Sequence, residues 1–305
     1  MTYTKLFSPK PAPPAGTTGT DPMVDNADPM AYVFSDEIVL AVNVALASGR
    51  PLLVRGPSGV GKSSLARAVA AHMGRRVFAH VVNVDTRAQD FLWQNDELKR
   101  LRDAQMGAAM DLAQAYITPG VLFWAFDPAG ARDVLSQSGR AALAGPPVSG
   151  PSVVLIDEID KADPDVPNGL LEPLGFLSFD LPDLGRRISA DTPPLIVITT
   201  NEERDLPQAF LRRCVELNIA APTRDQLVEI AVAQFPSLTR PELEGLADKV
   251  LALATAANLG LSTAEFIDTV KVVQTLGIAS DDPLFDAVVD ATALKSAGDA
   301  RDDWA

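Results

Sequence analysis

The chain has 305 residues, 47% apolar and 22% charged, which fits one large domain and a smaller one that bury their own cores. The single cysteine, Cys214, excludes an internal disulfide framework and a cysteine-based zinc cluster, and two histidines exclude a histidine-rich metal site. Acidic side chains outnumber basic ones by 40 to 26, which disfavours nucleic acid or an anionic membrane as the main partner. With no long apolar run and no signal-peptide pattern, we expect no membrane span and a cytoplasmic location.

The first 30 residues hold six prolines and few large apolar side chains, which predicts a disordered or extended tail. Order is expected to begin near Tyr32. Apolar residues at helical spacing predict a helix over 36–48, and a short apolar strand follows at 51–54. The aromatic residues Tyr32 and Phe34, with Val33 between them, are compatible either with an adenine contact or with core packing.

The segment after the first strand, residues 56–63, reads Gly-Pro-Ser-Gly-Val-Gly-Lys-Ser and fits the phosphate-loop pattern G-x-x-x-x-G-K-[ST]. An alanine-rich helix follows over 62–73, so the helix N-terminus would add its positive dipole to the backbone N–H groups. We predict that Lys62 reaches the β- and γ-phosphates of ATP and that the Ser63 hydroxyl binds Mg²⁺. The predicted nucleotide-binding residues are Gly56, Pro57, Ser58, Gly59, Val60, Gly61, Lys62, Ser63 and Ser64.

A second strand is predicted over 77–84, followed by a mostly helical segment over 87–144 that is interrupted at Pro119-Gly120 and at Pro128. This segment contains a group of large apolar residues. They are expected either to project as a contact loop or to pack on the core; they are Leu122, Phe123, Trp124 and Phe126.

A third strand over 152–156 is wholly apolar and therefore predicted to be buried on both faces. Two carboxylates, Asp157 and Glu158, follow it directly. A carboxylate pair at the end of an apolar strand is costly unless it has a cation or a chemical task. We predict that Asp157 holds Mg²⁺ through water and that Glu158 orients and activates the attacking water.

The fourth and fifth strands are predicted over 195–199 and 214–219, and polar residues flank both. Asn201 is expected to bind the γ-phosphate or the attacking water. Arg212 and Arg213 precede the fifth strand and suit a subunit boundary, where a guanidinium reaches a neighbour's γ-phosphate. Strands alternating with helices predict an α/β fold with a doubly wound parallel sheet of five strands.

From Pro222 onward the pattern is helical to about residue 294, which predicts a small all-α domain. From Pro222 to the last residue, Ala305, the sequence holds fourteen acidic and six basic side chains. Such an excess is typical of a solvated surface or of a docking face for a basic partner.

The order of strand and phosphate loop, Asp-Glu strand, Asn strand, arginine pair and helical region resembles the AAA+ ATPases, over residues 32–295. This resemblance implies a P-loop AAA+ fold with a C-terminal all-α lid, and hydrolysis of ATP to ADP and phosphate. It also implies that Arg213 acts as the arginine finger, with Arg212 second. The predicted domains are a tail (1–30), a nucleotide-binding domain (31–221) and a lid (222–305).

Insertions into this fold are expected near 90–131 and near 176–192, the second as a hairpin. The stretch 118–123 is similar to the "PGP" element of a helix-2 insertion, and the stretches 86–93 and 98–105 also look like the same group of proteins. Together these features resemble the MoxR family. That resemblance implies a homo-oligomer in the form of a hexameric ring, chaperone-like remodelling, and a von Willebrand A-type partner protein. One position departs from the family, because Ala264 stands where an arginine often starts a lid helix; Lys271 and Arg240 are conceivable substitutes.

Other functions are compatible with parts of this pattern. An ATP-dependent scaffold that recruits an effector with little turnover is favoured by Ala264, whereas the intact Glu158 argues against it. A nucleic-acid motor is disfavoured by the acidic charge and the lack of a basic and aromatic stripe. A small-molecule kinase is disfavoured by the arginine pair and the predicted lid.

Overall fold

The computed structural model describes residues 3–10, 28–107, 113–145 and 150–294. Within these ranges the strands are β1 Leu52–Arg55, β2 Val77–Val81, β3 Trp93–Asn95, β4 Ile117–Pro119, β5 Val153–Asp157, β6 Ser178–Leu181, β7 Arg186–Ser189, β8 Leu195–Thr200 and β9 Val215–Asn218. The helices are α1 Asp36–Ser48, α2 Lys62–Met73, α3 Glu97–Gln105, α4 Val121–Phe126, α5 Pro128–Gln137, α6 Asp165–Gly169, α7 Leu171–Phe176, α8 Gln208–Leu211, α9 Arg224–Gln234, α10 Arg240–Ala256, α11 Thr263–Leu276 and α12 Leu284–Thr292. Short 3-10 turns occur between several of them.

Five strands form one parallel sheet in the order β2-β5-β8-β1-β9. The register places Leu155 opposite Val197 and Leu53 opposite Ile198. All six residues of β8 are buried, as expected for an apolar strand covered on both faces. The predicted five-stranded α/β sheet is thereby confirmed. Because its strands are parallel, β5, β8 and β1 end side by side at one edge of the sheet.

An apolar core joins this sheet to the first inserted segment through α4. The group predicted either to project or to pack lies in this helix. Leu122, Phe123 and Phe126 are buried, and the Trp124 ring stacks on Phe78 with ring centroids 5.9 Å apart. The contact-loop alternative is therefore wrong, because burial of these side chains stabilises the fold through the hydrophobic effect.

The segment 87–144 is less helical than predicted. Its helices are short, and β3 pairs with β4 in an antiparallel ladder that sets Trp93 opposite Pro119. Gly120, where the sequence predicted a break, ends this ladder in close contact with the chain: a Cβ there would lie 2.5 Å from the carbonyl oxygens of Asp90 and Phe91. Only glycine fits this close approach of the chain.

The second inserted segment forms the predicted hairpin. Strands β6 and β7 pair antiparallel, with Phe179 opposite Ile188, and the turn contains Gly185 at φ 58°. The Phe179 ring stacks on Trp93 at 5.7 Å and meets Phe123 edge-on at 5.8 Å between ring centroids. The two inserted segments therefore pack on one another through a shared aromatic cluster.

The C-terminal region is helical, as predicted, and no strand follows β9 within the described residues. Thr223, Thr239 and Ser262 begin α9, α10 and α11, each in a capping box with the Gln or Glu three residues later. Their apolar faces share one core. Its largest fully buried side chains belong to Leu227, Leu243, Phe266 and Phe285.

Part of the segment predicted as a disordered or extended tail over 1–30 contacts α1. Phe7 is 2% exposed. The buried side chain of Asn43 on α1 accepts hydrogen bonds from the N–H groups of Leu6 (2.6 Å) and Phe7 (2.9 Å) and donates to the Phe7 carbonyl (2.8 Å). Burial of one phenyl group and three hydrogen bonds fixes this stretch despite its prolines. Residues 11–27 of the predicted tail lie outside the described residues.

The chain divides into two compact units. The first takes its described residues from Met1–Pro9, Asp36–Arg55 and Val69–Leu217, and it contains most of the parallel sheet. The second takes them from Lys10–Ser35, Gly56–Ala68 and Asn218–Ala305, so the phosphate loop groups with the C-terminal helices.

Candidate functional site

The predicted phosphate loop follows β1 and leads into α2. Gly56, Gly59 and Gly61 have φ values of 141°, 76° and 93°, which residues with a Cβ rarely adopt. A Cβ on Gly56 would also lie 2.1 Å from the carbonyl oxygen of Ile219. The first turn of α2 contains no acidic residue, so nothing there opposes an anion at the helix N-terminus. The loop conformation and the helix terminus therefore fit a phosphate group.

The Lys62 side chain lies over this loop. It is 5% exposed, and its Nζ donates hydrogen bonds to the carbonyl oxygens of Gly56 and Pro57, both at 2.7 Å. The ammonium is thus held at the start of the loop by main-chain oxygens. A bound phosphate would offer this ammonium anionic oxygens in place of neutral carbonyl oxygens, and the attraction between opposite charges favours that exchange.

The remaining predicted residues of this set lie on the loop or in the first helical turn. Val60 is buried and Ser58 is exposed, whereas Ser63 and Ser64 are partly exposed on α2. A serine hydroxyl is an oxygen ligand of the kind that Mg²⁺ prefers. The position of Ser63 after the lysine therefore fits the predicted metal ligand chemically.

The N-terminus of α11 contacts the phosphate loop. The N–H of Ala264 donates to the Gly59 carbonyl at 2.9 Å, and a Cβ on Gly59 would lie 2.6 Å from the Ser262 hydroxyl. The position predicted to lack the family's arginine is therefore the one whose backbone binds the loop. Of the two conceivable substitutes, Lys271 is exposed further along α11 and Arg240 lies at the start of α10.

Tyr32 lies beside the same loop. Its ring is 3.6 Å from the position a Cβ would take on Gly61, and it packs on Phe34 with ring centroids 4.8 Å apart. Burial raises the pKa of the Tyr32 hydroxyl above its ordinary value. Both alternatives from the sequence, an adenine contact and core packing, are compatible with this aromatic pair, whereas Val33 between the two rings is exposed.

The carboxylate of Asp157 ends β5 and is held by the neighbouring strand β8. The Thr199 hydroxyl donates to its Oδ1 at 2.6 Å and accepts a hydrogen bond from the Glu158 N–H at 2.8 Å. Thr199 is fully buried. This threonine holds the Asp157 carboxylate and the Glu158 backbone, and no sequence pattern singled it out because a threonine inside a strand is common.

Glu158 adopts a left-handed backbone conformation, with φ at 59°. Its Oε2 is 2.7 Å from Lys161 Nζ, and its Oε1 accepts a hydrogen bond from Asn201 Nδ2 at 3.2 Å. The structure therefore brings two predicted residues, Glu158 and Asn201, into contact. A non-glycine residue in this conformation is strained, and such residues concentrate at functional sites.

Lys161 is a second partner of Glu158, which no sequence pattern singled out. The hydrogen bond to Glu158, followed by the charge of that carboxylate, raises the pKa of the Lys161 ammonium above its ordinary value. The pair lies one turn apart on a 3-10 segment, with side chains 40% and 28% exposed. A Glu-x-x-Lys spacing would have been the only signal, and it is too common to be specific.

The predicted arginine pair follows α8 and is exposed. Arg50 donates to the main-chain carbonyls of Arg212 and Arg213, which fixes the backbone of the pair. The Arg213 guanidinium donates to the Ala209 carbonyl at 3.0 Å. Within the described parts of the chain neither arginine of the pair forms an ion pair.

Cys214 follows this pair and is buried. Desolvation raises the pKa of its thiol to about 12, so the sulfur stays protonated at neutral pH. A protonated thiol is a poor nucleophile, since the thiolate is the reactive form.

Two further absences concern only the residues that the structure describes. No helix among them is long and apolar enough to cross a membrane. Nor do three or more of their His, Cys, Asp and Glu side chains form a group that could hold a metal ion.

Solved structures of RuvB from Thermotoga maritima are similar to this chain. The structure described as a Holliday junction branch migration motor is 16% identical, with 80% of this chain and 69% of that chain covered and a TM-score of 0.41. A mutant of the same protein is 16% identical, with 80% and 70% covered and a TM-score of 0.42. No curated protein matches the sequence.

A family model gives the firmer result. The model for the AAA domain of the dynein-related subfamily matches residues 51–214, which is more than half of the chain. The matched range begins before β1 and ends before β9, and it includes the phosphate loop, both carboxylates, Asn201 and the arginine pair. The chain therefore belongs to the AAA domain family, in its dynein-related subfamily.

Proposed function

We propose that this protein is an ATP-hydrolysing AAA+ ring ATPase of the MoxR type, which remodels or activates a partner protein. The observation that carries the catalytic part is the hydrogen-bonded group at the ends of β5 and β8. There Thr199 holds Asp157, and Asn201 holds Glu158. Carboxylates oriented in this way suit metal binding and activation of water.

In this proposal the loop over 56–64 binds the phosphates, and Lys62 exchanges its carbonyl partners for the β- and γ-phosphates. Ser63 and Asp157 supply oxygen ligands to Mg²⁺, which when bound would neutralise phosphate charge. Glu158 accepts the proton of the attacking water, and Asn201 fixes the position of that carboxylate or of the water. Glu158 must give up its ion pair with Lys161 to do so.

The exposed arginine pair supports assembly into a ring. A guanidinium without an ion pair in the described chain is suited to reach the γ-phosphate bound by a neighbouring subunit. We assign this role to Arg213, with Arg212 second, and propose a homo-hexamer. Because one nucleotide would then contact two subunits, ATP is expected to stabilise the assembly by mass action.

The MoxR assignment rests on the two inserted segments. The dynein-related subfamily includes MoxR-like proteins. Both insertions form defined structures that pack together through Phe179. A von Willebrand A-type partner, a cytoplasmic location, and the division into a tail (1–30), a nucleotide-binding domain (31–221) and a lid (222–305) belong to the same proposal.

A scaffold that binds ATP, assembles and turns over slowly is a second candidate. Two observations favour it: Ala264 provides no cation beside the phosphate loop, and Lys161 occupies the Glu158 carboxylate. Steady-state turnover separates the two candidates. A ring that forms with ATP yet releases phosphate no faster than the Glu158→Gln variant would support the scaffold.

Calorimetric titration with ATP and a phosphate-release assay test the catalytic proposal. We expect Lys62→Ala to abolish ATP binding, because it removes the cation from the triphosphate. Glu158→Gln should keep binding and stop cleavage, because an amide cannot accept the proton of water. Glu229→Gln, an exposed residue on α9, is the matched control and should behave as wild type. Turnover of Glu158→Gln at the wild-type rate would overturn the assignment.

A further inference from the structure

A third carboxylate follows the predicted pair. Asp160 lies in the 3-10 turn Ile159–Lys161, directly after the strand-end residues, and is 2% exposed. Its Oδ2 accepts hydrogen bonds from the N–H groups of Asn201 at 3.1 Å and Glu203 at 3.0 Å. Asp160 thus joins the segment after β5 to the loop after β8, which lies some forty residues later in the chain.

Burial of the Asp160 carboxylate costs free energy of folding. Its Oδ1 is buried and has no hydrogen-bond partner among the described residues. Burial of a charged group is unfavourable, and an unmade hydrogen bond adds to the cost. The two N–H groups on Oδ2 make charge-assisted hydrogen bonds, which offset part of it. The loop after β8 is therefore held by two strong hydrogen bonds to Asp160, and the fold keeps them despite the cost of burying that carboxylate.

That loop needs to be held. Glu202, between the two anchored residues, has a left-handed backbone with φ at 63°, a conformation that persists only where its surroundings enforce it. The Glu202 N–H is held separately by the Thr200 hydroxyl at 3.0 Å. Asn201 therefore sits between a strand end and a strained residue, with its own N–H fixed by Asp160.

We propose that Asp160 is a positioning residue for ATP hydrolysis: it anchors the backbone of Asn201 so that the Asn201 amide reaches the Glu158 carboxylate. The geometry supports this because the amide and its target stand on the two segments that Asp160 joins. The inference rests on the proposed function, in which Glu158 and Asn201 serve the reaction. A displacement of about 1 Å in such a group can cost on the order of 10²-fold in rate.

A purely structural role predicts something different. If Asp160 only stabilised the fold, its removal would lower the unfolding temperature and change turnover independently of Asn201. If it acts through Asn201, its removal should matter little once the Asn201 amide is gone. A double-mutant cycle measures this dependence.

The experiment compares Asp160→Ala, Asn201→Ala and the double variant in steady-state ATP hydrolysis. Asp160→Ala is expected to lower kcat about as much as Asn201→Ala, on the order of 10- to 100-fold. KM should stay near its wild-type value, and the double variant should lose no more than either single one. Asp160→Asn keeps an oxygen for the two N–H groups and should restore much of the activity. Additive losses, or a changed KM with an unchanged kcat, would overturn the inference.

Amide hydrogen exchange adds a readout that does not depend on activity. In Asp160→Ala the Asn201 and Glu203 amides should exchange faster, whereas the Glu202 amide, held by Thr200, should change less. If the alanine variant does not fold, Asp160→Asn replaces it: a neutral amide oxygen accepts weaker hydrogen bonds than a carboxylate, so exchange at Asn201 and Glu203 should rise by a smaller amount. If the wild type hydrolyses ATP and the Asn201 amide exchanges equally fast in the wild type and in Asp160→Ala, this inference alone is overturned. A wild type without turnover would overturn the proposed function.

Discussion

The phosphate-loop region and the carboxylate region hold their key charged side chains in different ways. Lys62 is held by main-chain carbonyls of its own loop, five and six residues away in the sequence. Glu158 is held by side chains, Lys161 three residues later and Asn201 in another strand end. One charge is fixed by local backbone, and the other by a network of side chains.

This difference predicts how each region responds to mutation. No single side-chain substitution removes the Gly56 and Pro57 carbonyls that Lys62 contacts, because a carbonyl oxygen belongs to every residue. Each partner of Glu158 is open to removal by one substitution. Substitutions in the phosphate-loop region should therefore either abolish activity or leave it unchanged. Substitutions in the carboxylate region should lower activity in smaller steps, and the effect of one should depend on the others.

The largest effect is expected at Arg213. It would show that the phosphate-loop region and the carboxylate region of one chain are together not sufficient for turnover. An arginine supplied by a neighbour is worth about 10³- to 10⁵-fold in rate in well-studied phosphoryl-transfer enzymes. We therefore expect Arg213→Ala to lower turnover severely and leave the ATP affinity of a subunit nearly intact. Arg212→Ala should lower it less. Phosphate release and calorimetric titration measure the two quantities.

Mixed assemblies show whether Arg213 acts between subunits. Arg213→Ala subunits have an intact phosphate loop, and Lys62→Ala subunits have an intact arginine. If the arginine acts across an interface, mixtures should recover part of the activity that neither variant has alone. Proven co-assembly without recovery would place the role of Arg213 within its own chain. Light scattering of Glu158→Gln with and without ATP checks the assembly itself.

A smaller effect is expected at Lys161. It tests the contrast between the main-chain partners of Lys62 and the side-chain partners of Glu158. Lys161→Met removes the ion pair and leaves the Glu158 carboxylate to Asn201. We expect kcat to rise a few-fold, since Glu158 no longer has to exchange a cation for water. Stability should fall by only about 0–1 kcal/mol, because the pair is partly exposed.

Lys161→Arg is the matched variant, because it keeps the positive charge and should keep the wild-type rate. Steady-state turnover and thermal unfolding of both variants give the answer. A fall of Lys161→Met to the level of Glu158→Gln would instead show that Lys161 places Glu158 for the reaction.

The same difference explains how much could be predicted from the sequence. The phosphate loop was predictable because phosphate binding requires glycines at fixed spacing before a helix, and Gly56, Gly59 and Gly61 have the required backbone. The five strands were predictable because their apolar runs are short and separated by helices. These features depend on local sequence alone.

The rest depends on contacts between distant residues. Thr199 and Asp160 act on residues about forty positions away, and no local pattern records such a pairing. The β3–β4 ladder was missed because its strands are three residues long and lie within a helical pattern. Phe7 was missed because the nearby prolines dominate the composition, although its burial depends on the distant Asn43.

The smallest expected effect concerns the contact between α11 and the phosphate loop. The Ala264 N–H donates to the Gly59 carbonyl, and Ala264 is the second residue of α11, where an N–H has no partner within the helix. Ala264→Pro therefore removes this donor at a position where proline is tolerated. One hydrogen bond is worth about 0.5–1.5 kcal/mol net.

Loss of that bond should loosen the loop and speed the release of bound ADP by up to about tenfold. Stopped-flow measurement with a fluorescent ADP analogue detects the change, and circular dichroism checks that the helix persists. Thr263→Pro is the matched control, because it places proline one residue earlier and leaves the Ala264 N–H in place. Equal acceleration in both variants would mean that proline in the first turn, and not the lost hydrogen bond, is the cause. A selective effect of Ala264→Pro would show that the main-chain hydrogen bond from Ala264 to Gly59 also holds the phosphate loop. The Glu158 carboxylate, by contrast, is held by side chains.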